Sequence, residues 1–131
     1  MEISIRRVYA EPGPDEGRRV LVDRLWPRGR SKADLEGIPW VKTVAPSNEL
    51  RDWFNHEPPK WPEFRRRYFA ELDANPEGVA ELRKALGRGK RATLLYAAKD
   101  EQHNNAVALA EYLFCERDRH ADFVHGPSPS R

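Results

Sequence analysis

The sequence predicts a single compact α/β domain with a small, mostly parallel sheet of three to four strands flanked by helices. Short apolar runs alternate with longer segments whose apolar residues recur at helical spacing. One run, Thr93–Ala97, is apolar without alternation, as in a strand buried on both faces of a parallel sheet. The 131 residues are enough for one domain with its own core. We assign that domain to residues 1–118 and predict a mobile C-terminal extension over residues 119–131, which end in Gly-Pro-Ser-Pro-Ser-Arg.

The remaining strands are expected from two further apolar segments. Ile3 and Ile5 alternate with polar residues and indicate a half-exposed first strand. Arg19–Asp23 has a Val-Leu-Val centre and indicates a second strand with a buried middle. Phe123-Val124 would add a fourth strand at an edge of the sheet.

Four helices are predicted from capping residues and apolar spacing. Ser47 is expected to cap a short helix, and Asn75-Pro76 combines a capping side chain with a proline suited to the first helical position. Gly87 should end that helix. The residues expected to face the core are Leu50, Trp53 and Phe54 in the first helix, Trp61, Phe64, Tyr68 and Leu72 in the second, Val79, Leu82 and Leu86 in the third, and Ala106, Val107, Ala110, Leu113 and Phe114 in the last.

Composition limits the classes of function. The 23 basic residues face 21 acidic ones, which is not the surplus expected of a dedicated nucleic-acid binder. The single Cys115 rules out an internal disulfide, and the histidines show no zinc spacing, so we predict no metal and no cofactor. The chain contains neither the apolar segment of a signal peptide nor an apolar run of membrane-spanning length. We therefore expect a cytoplasmic protein that does not contact a membrane.

Charged residues follow the second and third strands. Asp23, Arg24 and Arg28 follow the second strand, and guanidinium groups of this kind match phosphate or carboxylate in a bidentate fork. Asp23 could orient an arginine or act as a general base. The alternative is a solvated face of arginines, with Trp26 filling the core.

The loop after the third strand leads into a helix whose first amide groups would favour an anion. His103 adds an imidazole suited to acid–base chemistry, and the alternative role for Asn104 or Asn105 is to cap the helix. Lys99 and Asp100 are either part of this site or a surface ion pair of little energetic weight.

Ligands of parallel α/β sheets bind outside the carboxyl ends of the strands. We therefore expect both loops to form one polar site that brings together Asp23, Arg24, Arg28, Lys99, Asp100 and His103. His56, just after the first helix, is a further candidate acid or base for the same cleft, although a histidine there often interacts with terminal carbonyl groups.

Three segments resemble the YeaO-like family, small bacterial proteins classed as domain of unknown function 488. They are VLVDRLWPRGRSK at residues 20–32, APSNELRDWFNHEP at residues 45–58 and TLLYAAKDEQHNNAVALAEYL at residues 93–113. The resemblance covers residues 2–114 and implies a compact α/β domain without an established activity. Members of the wider group often carry Cys-His-Arg after the third strand, where this chain has Gln102-His103-Asn104, so a cysteine nucleophile is not expected here. Some relatives are labelled transcriptional regulators, but the chain shows no helix-turn-helix with a basic recognition helix.

These observations leave several functional hypotheses. We favour an enzyme, a hydrolase or transferase, acting on a small anionic substrate that could be nucleotide-like and that binds at the carboxyl edge of the sheet. In this hypothesis Asp23 or His103 performs acid–base catalysis, and the substrate is bound by Arg24, Arg28, Lys99, Asp100, Asn104 and His56. The alternative is a non-catalytic metabolite-sensing or binding module, and a minor alternative is nucleic-acid binding through the arginines. Composition does not determine the oligomeric state.

Overall fold

The computed structural model describes residues 1–13 and 15–124, with side chains described as far as Cys115. Within this part of the chain there are three strands and four α-helices, and the strands form one parallel sheet. The predicted α/β fold with a small parallel sheet is therefore confirmed.

The sheet has the order β1-β3-β2, with β1 at Glu2–Arg7, β2 at Arg18–Leu21 and β3 at Arg91–Tyr96. The central strand is buried from its second residue to its last, which explains why its sequence shows no alternation. Leu95 is paired with Arg6 on one side and with Leu21 on the other. The carboxyl ends of all three strands therefore lie at the same edge of the sheet.

The second strand is shorter than the predicted Arg19–Asp23, because the chain leaves the regular ladder after Leu21. The backbone of Leu21 instead hydrogen-bonds with Pro39 and Val41, and this returning segment covers the outer edge of the strand. Asp23 is thereby freed from the ladder, and its side chain can bond at the end of the sheet.

The helices are α1 at Asn48–Phe54, α2 at Trp61–Asp73, α3 at Pro76–Leu86 and α4 at Asn105–Val124. The predicted caps are present, since the Ser47 hydroxyl accepts from the Leu50 amide at 3.1 Å and the Asn75 side chain accepts from the Gly78 amide at 3.1 Å. Gly87 follows α3 with a φ of 75°, a conformation that glycine adopts at low cost.

Two apolar clusters cover the two faces of the sheet. Leu94 of β3 faces the larger cluster, which includes Phe64 and Tyr68 of α2. Leu95 points to the opposite face and joins Leu21 and Leu35 in a smaller cluster. Part of the segment between β2 and α1 therefore covers this second face, with Trp26, Ile38 and Trp40 packed against the smaller cluster.

Several core predictions need correction. Trp53 and Trp61 pack on the outside of the core and are only partly buried. Phe114 is 67% exposed, because the buried face of α4 is formed by Ala106, Ala108, Leu109, Tyr112 and Leu113.

The predicted edge strand at Phe123-Val124 is also wrong, since α4 continues through both residues. Side chains after Cys115 and residues 125–131 lie outside the described part, so the mobile extension over residues 119–131 stays a prediction.

Replacing Phe64 with alanine should lower the free energy of unfolding by about 3–5 kcal/mol, because its ring is 2% exposed and its removal leaves a cavity. Phe114→Ala is the matched control and should change the stability little. Chemical denaturation measures both. Equal denaturation midpoints for Phe64→Ala and the unmodified protein would show that Phe64 does not pack in the core.

Candidate functional site

A cleft of about 750 Å³ lies at the carboxyl edge of the sheet, between the loop after β2, the end of α1 and the start of α4. Most of the site residues predicted from sequence line it, namely Asp23, Arg24, Arg28, His56, His103 and Asn104. Lys99 and Asp100 are not among the described residues that line the cleft, and Lys99 is exposed. The Asp100 carboxylate instead bonds with His103, and ligand binding by Lys99 and Asp100 stays a prediction.

The carboxylate of Asp23 joins three elements at this edge. Its Oδ2 accepts a hydrogen bond from the Ala97 amide at 2.9 Å, just after β3. Its Oδ1 accepts from the side chain of Asn105 at 3.0 Å, and the same amide group donates to the Val22 carbonyl at 3.2 Å. Burial raises the pKa of Asp23, while the bonds from Asn105 and Ala97 and the charge of Arg51 act in the opposite direction. Both oxygens of the predicted catalytic Asp23 are thus engaged in holding the fold together.

The two asparagines at the start of α4 have different roles, which the sequence left open. Asn104 is the cap, since its Oδ1 accepts from the Val107 amide at 3.0 Å and its Nδ2 donates to the Asp100 carbonyl at 2.9 Å. Asn105 completes the Asp23 linkage. In the described part of the chain, the backbone N–H groups of Asn105 and Ala106 have no hydrogen-bond partner.

Asp100 orients the imidazole of His103. Its Oδ1 accepts from the amides of Gln102 and His103 at 2.9 and 3.0 Å, and its Oδ2 lies 2.9 Å from His103 Nδ1. The bond from the Gln102 amide, followed by that from the His103 ring, lowers the pKa of Asp100. The ring also packs edge-on against Trp61, with 5.4 Å between ring centroids. His103 Nε2 is therefore the ring nitrogen left to interact with a ligand.

Three arginines line the cleft together with two aspartates. Arg24 is partly buried, and its Nη2 donates to the Pro46 carbonyl at 3.3 Å. Its Nε is buried without a hydrogen-bond partner among the described residues. Arg28 is exposed, and its backbone carbonyl accepts from the Tyr9 hydroxyl at 2.8 Å. Arg51, on α1, was missed in the sequence because nothing in its local sequence shows that α1 ends beside β2.

The turn after α1 holds two consecutive non-glycine residues in the left-handed region. Asn55 has a φ of 48° and His56 a φ of 54°, and both line the cleft. Asparagine and histidine adopt this region more often than most residues, but it costs both of them more than it costs glycine. The His56 side chain is exposed and has no hydrogen-bond partner among the described residues.

Two further properties concern the described residues as a whole. They contain no group of three or more histidine, cysteine, aspartate or glutamate side chains arranged to hold a metal ion. None of their helices has the length and apolar character needed to cross a membrane.

The fold and the cleft define a small parallel α/β protein with a polar cleft at the carboxyl edge of its sheet. Residues 2–130 match the family DUF488-N3i, described as the inactive DUF488-N3 subclade. The chain is 43% identical to an uncharacterized protein of Mycobacterium tuberculosis over 111 residues, covering 85% of this chain and 92% of the relative. It is 42% identical to the uncharacterized protein YeaO of Escherichia coli over 113 residues, covering 86% and 97%. No solved structure matches the chain significantly. The chain therefore belongs to the DUF488 family and is a YeaO-like member of it.

Asp23 should give the stability a characteristic pH dependence. Because burial raises its pKa, the folded state holds the Asp23 proton more tightly than the unfolded chain. The resulting stabilisation is complete below the ordinary pKa and is lost as the pH rises through the raised one. The unmodified protein should therefore lose stability relative to Asp23→Asn as the pH rises from about 4 towards neutral.

Urea denaturation over this pH range measures the difference between the two proteins. Asp52→Asn, which alters an exposed carboxylate of the same cleft, is the matched control. A difference that stays constant with pH, or that changes in the opposite direction, would contradict the raised pKa.

The left-handed backbone at residue 56 should reverse the usual order of stability between alanine and glycine variants. At this position glycine should be more stable than alanine by about 1 kcal/mol, because alanine bears the left-handed penalty and glycine does not. At Asp52, an exposed position within α1, alanine should be the more stable by about 1 kcal/mol. Thermal or chemical denaturation of the four variants gives both differences. Alanine being favoured at both positions would argue against the left-handed backbone at residue 56.

Proposed function

We propose that the protein is a non-catalytic module that binds a small anion in the cleft at the carboxyl edge. The observation that carries the proposal is the guanidinium group of Arg24, which lines the cleft beside Arg28 and Arg51. It donates from Nη2 to the neutral Pro46 carbonyl, so its positive charge would attract an anion to this part of the cleft. Arg51 adds positive charge to the lining of the same cleft, and Asn105, whose backbone amide is unpaired in the described part of the chain, adds a donor.

Two features favour binding over the enzymatic hypothesis drawn from the sequence. Asp23 already accepts two hydrogen bonds that hold the fold together, so its use as a general base would weaken the site itself. The family that the chain matches is described as an inactive subclade, and this chain has Gln102-His103-Asn104 where the resemblance implies that the wider group often has Cys-His-Arg. In this proposal the imidazole of His103, oriented by Asp100, forms part of the wall of the cleft.

An enzyme remains the second candidate, because a carboxylate–imidazole pair such as Asp100–His103 is suited to proton transfer. Nucleic-acid binding receives no such support. Arg24 and Arg28, the arginines that follow β2, line a concave cleft together with Asp23 and Asp52, which is not the continuous flat basic surface expected of nucleic-acid binding.

Arg24→Ala should weaken the binding of inorganic phosphate about tenfold or more, because charge-assisted hydrogen bonds from the guanidinium are lost. Arg51→Ala should also weaken phosphate binding, because it removes a positive charge from the lining of the cleft. A phosphate titration, followed through the NMR chemical shifts of the Asn105 and Ala106 amides, measures the affinity and shows where the phosphate binds. Arg66→Ala is the matched control, since this exposed arginine lies on α2 away from the cleft. The absence of saturable shifts, or equal affinities in Arg24→Ala and the unmodified protein, would refute the anion site.

Turnover assays separate binding from catalysis. A panel of phosphate esters should be hydrolysed no faster by the unmodified protein than by His103→Ala. Hydrolysis that is lost in His103→Ala, while phosphate binding is retained, would establish the enzyme and overturn the non-catalytic proposal.

A further inference from the structure

The loop that carries Arg24 also holds an apolar side chain at the cleft. Three large apolar side chains are exposed in the described part of the chain, namely Met1, Leu25 and Phe114. Of these, only Leu25 lines the cleft, and it is 66% exposed. A single exposed leucine on a protein surface needs no explanation, but one in the wall of a large cleft is positioned to contact a ligand.

The exposure of Leu25 results from a well-anchored loop. On one side Asp23 is bonded to Ala97 and Asn105. On the other side the Trp26 indole N–H donates to the Arg30 carbonyl at 2.6 Å, and its ring packs against Trp40 with 5.3 Å between centroids. The side chain between these anchors is therefore held at the cleft by its neighbours, at the cost of leaving apolar surface in water.

The size and lining of the cleft suit a ligand larger than a simple anion. Small-molecule pockets typically measure about 300–1,000 Å³, and this cleft lies within that range at about 750 Å³. Half of its lining residues are apolar or aromatic, and they include Tyr9, Leu25, Trp26, Pro46 and Phe54. Inorganic phosphate would satisfy the arginines and leave this apolar wall uncovered.

We propose that the ligand is an organic anion whose body is apolar or aromatic, with its charged group at Arg24 and its body covering Leu25 and Trp26. This inference rests on the proposed anion site and specifies the class of molecule that occupies it. Burial of the Leu25 side chain by the ligand then adds affinity that inorganic phosphate does not receive.

Calorimetric titration with inorganic phosphate and phenyl phosphate tests the inference. Phenyl phosphate should bind the unmodified protein at least about tenfold more tightly than inorganic phosphate, because it buries apolar surface. Leu25→Ser should remove most of this advantage and leave the affinity for inorganic phosphate unchanged. Phe114→Ser, which alters an equally exposed apolar side chain outside the cleft, should change neither affinity.

The outcomes distinguish this inference from the proposed function. Equal affinities for the two phosphates, or an advantage of phenyl phosphate that survives in Leu25→Ser, would overturn the inference and leave the anion site standing. Failure of both compounds to bind would overturn both.

Discussion

The carboxylate of Asp23 is the contact on which the geometry of the cleft depends. It lies where β2 leaves the sheet, and it accepts hydrogen bonds from the first residue after β3 and from the first residue of α4. The side chain of Asn105 extends the linkage by donating to the Val22 carbonyl. A buried carboxylate is costly unless it is hydrogen-bonded, so these donors and Asp23 each require the other. These hydrogen bonds therefore fix the loop after β2 relative to the loop after β3.

Neighbouring residues in this arrangement have different roles, some holding the fold and others lining the cleft. Asp23 is turned inward and fixes the loop, while Arg24 and Leu25, which follow it, line the cleft with a cation and an apolar side chain. A similar division exists at α4, where Asn104 caps the helix, Asn105 bonds to Asp23, and His103 remains at the cleft with its ring oriented by Asp100. In both segments, residues whose hydrogen bonds hold the fold are thus adjacent in sequence to residues that line the cleft.

Much of the fold could be predicted because local chemistry determines it. The unbroken apolar run of Thr93–Ala97 indicated a buried parallel strand, and the caps at Ser47 and Asn75 depend on hydrogen bonds within a few residues. The shared edge of the two loops followed from the parallel topology. By contrast, Phe114 was misassigned because helical spacing defines an apolar stripe but not which side of it meets the core.

The parts of the site that escaped prediction depend on tertiary contacts. The bond between Asn105 and Asp23 joins residues 82 positions apart, and sequence offers no means of distinguishing it from capping by Asn104. Arg51 reaches the cleft only because α1 packs beside the end of β2. The left-handed backbone at His56 was hidden because no glycine marks it.

A double-mutant cycle on Asp23 and Asn105 tests the central claim most directly. The free energy of unfolding is measured for the unmodified protein, Asp23→Ala, Asn105→Ala and the double variant. If the two side chains form one linkage, their effects should be non-additive, with a coupling free energy of about 1 kcal/mol or more. Effects that add within about 0.3–0.5 kcal/mol would show that the two residues act independently and would contradict the account.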